Sequence, residues 1–410
     1  MYALVGRKLG HSFSQPIHNA LGNSDYSLVE LEPEEMRRFM LSRGFDGLNV
    51  TIPYKLDVIP FLDEISDGAR EIGSVNTVVN RGGRLYGYNT DIDGFIYTVK
   101  SAGIEITGKK VLVLGSGGTS RTARAALRQL GAREIVMISR SGDDNYGNIS
   151  RHFDADVIVN TTPVGMYPNC PGAALSLGGF SRLSGVVDVV YNPARTGILL
   201  DAESRGIKCA GGLKMLVGQA KRAEELFFDS AIDDREIERI ANKMRRDTEN
   251  IVLIGMPAVG KTTVGRHLAS LSGREVLDTD RLIVEKSGMT IPEIFEKHGE
   301  SRFREIETEV LAEVGRLSGK IITCGGGVVT QARNYPLLHQ NGVIIELMRP
   351  VDSLSMKGRP LSKSVDALRE MFIARRPMYD SFRDAVFYNM VSSEETAKNI
   401  WRYFNENPRN

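Results

Sequence analysis

The octet GMPAVGKT (Gly255–Thr262) follows the apolar run Ile251–Ile254. In a loop of this spacing the backbone amides wrap phosphates, the lysine reaches the β and γ phosphates, and the terminal hydroxyl takes Mg²⁺. Gly255, Gly260, Lys261, Thr262 and the adjoining Thr263 are therefore candidate triphosphate contacts. The motif specifies a nucleoside triphosphate but leaves the acceptor open, so the acceptor has to be read from other groups. Asp278 and Asp280 stand two apart in LDTDRLI, which in an extended chain puts both on one side. One suits magnesium through a water and the other an attacking hydroxyl. Arg304 and Glu307 sit at i, i+3 in ESRFREIETE, where the carboxylate can hold the guanidinium fork toward an anion; a charged helix surface reads the same way. Gly325, Gly326 and Gly327 admit a small ligand close to the backbone. Arg359 lies in KGRPLS, a loop suited to closing as a lid, and Arg375 and Arg376 lie in ARRPMY. Three separate arginine sites fit a small acceptor carrying a carboxylate, with a lid arginine on the transferring phosphate.

A second set of residues suits hydride chemistry. GSGGTS (Gly115–Ser120) follows Val111–Leu114 and fits G-x-G-x-x-G with serine in the last slot. Gly115 and Gly117 allow the tight turn and close approach to a pyrophosphate at a helix N-terminus, with Ser116, Gly118 and Thr119 completing the loop. The next strand ends in Ser139, Arg140 and Ser141. An arginine where an acid would take a ribose hydroxyl pairs with a 2′-phosphate, which predicts NADP, and Arg121 is placed to help. Asp143 and Asp144 follow and read as a solvated turn. Lys55 in NVTIPYK and Asp91 in YNTDIDG suit reduction of a ketone, in which a positioned group protonates the developing alkoxide. Whether the two meet in space is not readable from spacing.

The elements that must position these groups are two strand–loop–helix units, Lys109–Leu127 and Glu249–Ala269, about 140 residues apart with different loops. They predict two α/β nucleotide folds. Before them, SVNTVVN…RLYGYNTDIDG reads as a hairpin entering a turn. Residues 232–250 are charged and read as an exposed helix tail running into a short linker, with a cut near 246. The 410 residues thus divide into an α/β domain at 1–95 completed by helices at about 211–245, a dinucleotide domain at 96–210, and a triphosphate domain at 246–410. Lys plus Arg is 52 and Asp plus Glu is 51, which argues against binding nucleic acid or membrane by bulk charge. Three scattered cysteines, Cys170, Cys209 and Cys324, argue against a disulfide framework or a zinc–cysteine site and for a reducing, cytoplasmic setting. The first residues carry no leader pattern, and no apolar run approaches 18 residues. His11 and His18 flank a serine motif and read as structural. Trp401 reads as packing for the last helix and Cys324 as a buried strand end. The oligomeric state is left open between monomer and homodimer.

Residues 1–245 resemble shikimate dehydrogenases. GHSFSQPIHN, NVTIPYK, GSVNTVV, GYNTDIDG, NTTPVGM, DVVYNPARTGILLDA and GGLKMLVGQA appear in that family's order. The resemblance implies a substrate domain beside a Rossmann NADP-binding domain, with the last helix packing back on the first domain. It also implies Lys55 and Asp91 as the catalytic pair, Ser12, Ser14, Thr51, Asn76 and Gln219 as substrate contacts, and Met166 beside the cofactor. The family often has Asn-Arg-Thr where this chain has Ser139–Ser141; the arginine is kept.

Residues from about 248 to the end resemble shikimate kinases, a parallel-sheet P-loop fold. The phosphate loop, D-x-D, F-R-x-x-E, G-G-G, R-P-L and R-x-P-x-Y all occur in order. This implies ATP and Mg²⁺ as cofactors. Asp280, Arg304, Gly325–Gly327 and Arg375 would contact shikimate, and Asp280 would be the base-like residue. Arg359 would be the lid arginine and Thr262 with Asp278 would serve the metal, the latter through water. Arg376 fills the variable slot. Ala258 and Val259 depart from the family loop, which usually has a glycine and then a small residue.

The two resemblances name consecutive reactions, 3-dehydroshikimate to shikimate and shikimate to shikimate 3-phosphate. A bifunctional enzyme of chorismate and aromatic amino-acid biosynthesis is the expectation. Two alternatives stand beside it: a dehydrogenase fused to a non-catalytic nucleotide-binding regulatory module, motivated by Ala258-Val259, and a quinate/shikimate-type dehydrogenase. The acceptor set Asp280, Arg304 and Arg375 argues against the first, and Arg140 with the fused kinase against the second.

Overall fold

The computed structural model describes residues 1–10, 12–350 and 365–407, organised by three open sheets. The first holds β1 (Tyr2–Gly6), β2 (Tyr26–Glu30), β3 (Gly47–Val50), β4 (Glu64–Ile65), β5 (Thr77–Arg81) and β6 (Arg84–Tyr88), in the order β2-β1-β3-β5-β6-β4. β1 runs parallel to β2 and β3, while β5 is antiparallel to β3 and β6. The expected hairpin is β5–β6. It turns at Gly82 and Gly83, both at positive φ (60° and 88°), the backbone a tight hairpin demands.

The second sheet is all parallel: β7 (Lys110–Leu114), β8 (Glu134–Ile138), β9 (Val157–Asn160), β10 (Gly185–Asp188) and β11 (Lys208–Ala210), in the order β11-β10-β9-β7-β8. Every residue of β7, β9 and β10 is buried, as befits strands covered on both faces. The winding reverses between β7 and β9, and the loop beginning at Gly115 leaves β7 there, where such sheets bind nucleotides.

The third sheet is also parallel: β12 (Asn250–Ile254), β13 (Val276–Asp278), β14 (Ile321–Thr323), β15 (Gly342–Met348) and β16 (Ala385–Tyr388), in the order β13-β14-β12-β15-β16. The central strand β12 feeds the phosphate-type loop, which enters the helix Lys261–Ser272.

After β11 the chain returns to the first sheet. The helix Leu213–Phe228 lies along Asp91–Ser101, where Gly94 and Gly218 let the two backbones approach closely. Phe227 occupies the space in front of Gly47.

The joint between the halves differs from the expected exposed tail and linker. The helix Arg235–Thr248 buries Ile237, Ile240 and Ala241, and one residue, Glu249, separates it from β12. Glu249 is 1% exposed. Its carboxylate accepts from Arg245 (2.6 Å) and Arg195 (3.2 Å), and Arg195 donates its backbone N–H to the Gln340 carbonyl (2.8 Å). High charge content misled the reading because Arg245 and Glu249 turn inward onto each other, while the apolar positions of the helix keep helical spacing.

Two candidate active sites

The first site is a cleft of about 490 Å³ between the first and second sheets. Lys55 comes from the turn after β3, and Asp91 opens the helix Asp91–Ser101. Their side chains meet: Lys55 Nζ donates to Asp91 Oδ2 at 2.6 Å. The other carboxylate oxygen accepts from Asn76 Nδ2 at 3.0 Å. Asn76 is itself held, because its Oδ1 accepts the Thr90 backbone N–H at 2.7 Å. Asn76 is buried, so its two ends fix the position of Asp91 ahead of any substrate. Ser12, Ser14, Thr51 and Gln219 line the same cleft. The Gln219 amide donates to the Leu216 carbonyl of its own helix (3.0 Å). All seven expected residues are thus brought together, and Thr119 of the glycine loop reaches the cleft wall.

Reading the residues missed Asn49, Lys8 and Tyr191, which also line this cleft. Asn49 carries a signal in NVTIPYK, two residues before Thr51. Its amide bridges Tyr26 Oη (2.7 Å) and Thr77 Oγ1 (3.1 Å). His18, expected to be structural, is buried, stacked on Tyr26 and bonded to Glu224; burial pushes its pKa down, against the pull of Glu224. His11 lies outside the described residues.

The dinucleotide loop fits a pyrophosphate. Gly115 has φ +114°, and a Cβ there would stand 2.8 Å from Thr161 Oγ1. In front of Gly117 and Gly118 a Cβ would meet nothing within 4 Å, which leaves the N-terminus of the helix Gly118–Gln129 open to a ligand. Ser139 lies just past β8 and Arg140 is exposed beside it, close enough to Tyr146 to act on its ionisation. Asp144 is engaged by His152 at 2.8 Å. Arg121 and Met166 are exposed, Met166 on the loop after β9.

The second site is a cleft of about 650 Å³ at the end of β12 and β14. In the phosphate loop Gly255 has φ +138° and Gly260 +98°, while Ala258 is forced to +68°. Lys261 Nζ donates to the carbonyls of Gly255 (2.8 Å) and Met256 (3.0 Å). Thr262 Oγ1 donates to Asp278 Oδ2 at 3.0 Å, placing the two metal candidates together. Asp278 and Asp280 face the same cleft as expected, but not through an extended chain. β13 stops at Asp278, which caps the helix Thr279–Ser287 by accepting the Asp280 backbone N–H (3.1 Å). Both still line the cleft, through a helix N-terminus.

Arg304 donates to Glu307 (2.8 Å) and Glu300 (3.0 Å), so the i, i+3 pair is a buried clamp and not a solvated surface. Burial pushes the Glu307 carboxyl up, against the opposing pull of Arg304. The triple glycine is explained residue by residue. A Cβ on Gly325 would stand 2.7 Å from Asp280 Oδ1, one on Gly326 2.7 Å from Pro257 Cδ, and one on Gly327 would collide with the Arg304 guanidinium. Arg375 Nη1 donates to the Gly326 carbonyl at 2.9 Å, while Arg376 turns away to Glu346. Phe295 and Phe303, missed in the sequence, form an aromatic wall of this cleft (centroids 4.9 Å apart). Arg359 lies outside the described residues. Cys324 is buried, and Trp401 stacks on Phe404 of the last helix.

Both halves match known families. A family model described as shikimate dehydrogenase substrate binding domain matches residues 4–78, and one described as shikimate kinase matches 257–405. The chain is 36% identical over 254 residues to the shikimate dehydrogenase (NADP(+)) of Clostridium beijerinckii, covering 57% of this chain and 94% of that protein. The fold resembles a chorismate mutase/shikimate 5-dehydrogenase fusion protein from Clostridium acetobutylicum (TM-score 0.56, 35% identity, 59% of this chain and 96% of that one). It also resembles a shikimate 5-dehydrogenase from Thermus thermophilus in complex with NADP(H) and shikimate (TM-score 0.54, 32% identity, 59% and 98%).

Proposed function

Because the chain belongs to the shikimate dehydrogenase family over about 60% of its length and carries a shikimate kinase domain at 257–405, we propose how its residues divide two consecutive reactions between two clefts. The protein is a bifunctional enzyme of the shikimate pathway, an NADP-dependent dehydrogenase and an ATP-dependent kinase. NADPH supplies the hydride, ATP the phosphoryl group, and Mg²⁺ the charge that offsets it.

In the first cleft Lys55 donates a proton toward the oxygen of 3-dehydroshikimate that becomes a hydroxyl, and Asp91 holds the ammonium at the required point. Asn76 keeps Asp91 from turning away. Ser12 and Ser14 take the substrate carboxylate, and Thr51, Asn76 and Gln219 its ring substituents. Arg140 and Ser139 take the 2′-phosphate, Gly115–Thr119 the pyrophosphate, and Met166 packs beside the cofactor. The observation that carries this reading is the 2.6 Å Lys55–Asp91 contact inside a cleft that also holds every expected substrate residue.

In the second cleft Asp280 accepts the hydrogen of the attacking hydroxyl. Arg304, held by Glu307, clamps the shikimate carboxylate with Arg375, and Gly325–Gly327 let the ring lie against backbone. Lys261 leaves its own loop carbonyls for the phosphates, Gly255, Gly260 and Thr263 frame them, and Thr262 and Asp278 serve the metal, Asp278 through water. Arg359 acts as the lid arginine. In this reading the partners are small molecules, with neither nucleic acid nor membrane, in a monomer or homodimer of the cytoplasm. No helix among the described residues is long and apolar enough to cross a membrane.

The test is a pair of single variants on the full chain. Lys55→Ala abolishes ketone reduction and spares phosphorylation, and Lys261→Ala does the reverse. Loss of both activities in either folded variant contradicts two independent clefts.

A further inference from the structure

We propose that Tyr26 is a positioning residue for the reduction of 3-dehydroshikimate: its hydroxyl is the fixed end of a hydrogen-bond relay that runs through Asn49, Thr77 and Asn76 to Asp91. The inference rests on the dehydrogenase reading of the first cleft. Tyr26 is 1% exposed and stands behind that cleft, whose lining includes Asn49, Asn76 and Asp91. It opens β2, and the sheet order β2-β1-β3 puts Asn49 two strands away. Two strand spacings are about 9–10 Å, and the long tyrosine side chain crosses β1 to end on the Asn49 amide.

The relay has one direction, and Asp91 imposes it. A carboxylate only accepts, so the Asn76 amide turns Nδ2 toward Asp91 Oδ1 (3.0 Å) and its own oxygen toward the Thr90 backbone N–H (2.7 Å). That oxygen also accepts from Thr77 Oγ1 (3.1 Å), which uses the one hydrogen of the hydroxyl. Thr77 Oγ1 therefore accepts from Asn49 Nδ2 (3.1 Å). The Asn49 oxygen is left facing Tyr26, and it accepts from Tyr26 Oη at 2.7 Å. Only a donor completes the relay at this last place.

Tyr26 is held as that donor. The His18 ring stacks on it with centroids 3.7 Å apart and planes 4° apart. His18 Nδ1 bonds Glu224, and the same carboxylate accepts from Asn23 Nδ2 (3.0 Å). All four side chains are buried. Burial, with the Glu224 charge adding to it, pushes the Tyr26 phenol well above its ordinary value, so the phenol keeps its hydrogen at neutral pH.

Removing that hydrogen leaves the Asn49 oxygen a buried acceptor without its donor, which frees the amide to turn. Asn49 lines the cleft, so the first effect falls on substrate binding. Lys55 is affected less, because Asp91 keeps its direct bonds to Lys55 and Asn76. The dinucleotide loop leaves the second sheet and takes no part in the relay. A positioning role for Tyr26 thus separates the two substrates of the reduction, which a general loss of stability does not.

The experiment is a double-mutant cycle on the full chain: Tyr26→Phe, Asn49→Ala and the two together, with 3-dehydroshikimate and NADPH varied in turn. Tyr26→Phe keeps the ring and its stack on His18 and removes only the hydroxyl. The expected result is a KM for 3-dehydroshikimate raised about five- to ten-fold, the net effect of one hydrogen bond, with kcat lowered about two-fold at most. The KM for NADPH stays unchanged, and circular dichroism with kinase kcat shows the variants folded. On the Asn49→Ala background Tyr26→Phe has no further effect, because its action passes through the amide. An unchanged 3-dehydroshikimate KM in Tyr26→Phe overturns the inference, as do effects of the two substitutions that simply multiply. A native chain that does not reduce 3-dehydroshikimate overturns the dehydrogenase reading and this inference with it, whereas native turnover left unaltered by Tyr26→Phe overturns the inference alone. Should Tyr26→Phe fail to fold, Thr77→Val, which breaks the next link, takes its place in the cycle under the same criteria.

Discussion

Lys55 and Asp91 lie 36 residues apart in the chain and 2.6 Å apart in the fold, with Asn76 bonded to the far oxygen of the same carboxylate. In the proposed reaction the lysine gives the proton, the aspartate sets where it stands, and the asparagine sets where the aspartate stands. Lys55→Met is expected to lower dehydrogenase kcat by roughly 10²–10⁴-fold, the range of a lost general acid, with a smaller change in KM. Asn76→Ala is expected to lower kcat less and raise KM, because Asp91 is freed but present. Steady-state kinetics with 3-dehydroshikimate and NADPH check both.

Ala258 sits at φ +68° in the phosphate loop, where a side chain is strained by about 1–2 kcal/mol. Ala258→Gly removes that strain but loosens the unfolded chain by about 0.4–1 kcal/mol. The net expectation is a gain between zero and about 1.6 kcal/mol, read as a higher denaturation midpoint, with ATP turnover kept. Ala258→Val is expected to destabilise, because a β-branched residue resists this conformation more strongly.

Arg195 joins Glu203, Glu249 and the kinase-half carbonyls of His339 and Gln340. Arg195→Met strips one of two guanidiniums from buried Glu249. Breaking a buried pair of this kind costs about 3–5 kcal/mol. Because one residue links helix to strand, the halves of the native chain are expected to unfold together, and the variant is expected to show two separated calorimetric transitions.

Asp188 ends β10 and accepts from Thr196, Asn160 and the Val190 N–H. Burial nonetheless raises its pKa from 3.8 to about 6. A raised carboxyl takes up a proton on folding, so its contribution to stability is fully present below about pH 4 and is lost as pH rises through 6. The expected loss is on the order of 2–3 kcal/mol at roughly 1.4 kcal/mol per unit. Denaturant midpoints of the native chain and Asp188→Asn, taken from pH 4 to 7, check this: the difference between them shrinks with rising pH.

The phosphate loop and the dinucleotide loop were legible because glycine spacing and flanking apolar runs constrain backbone locally; the D-x-D pair was legible as a pair, but its placement at a helix N-terminus was not. The pairing of Lys55 with Asp91 was not, since it depends on β3, β5 and the helix Asp91–Ser101 being brought side by side. Gly327 shows the same limit from the other direction. Its type was readable, but the reason for it, an arginine guanidinium filling the place of its Cβ, comes from a helix some twenty residues away in the chain. Tyr191 and the buried joint at Glu249 escaped notice because nothing local marks them. A tyrosine in a loop carries no mark of the cleft it lines, and a charged helix tail looks solvated until the neighbouring half closes over Glu249.

The central claim is that one chain carries both steps. Purified protein given 3-dehydroshikimate, NADPH, ATP and Mg²⁺ is followed by NADPH absorbance, with products identified by mass spectrometry. NADPH consumption with shikimate 3-phosphate as product is the predicted result. Consumption that stops at shikimate, with ATP intact, contradicts it.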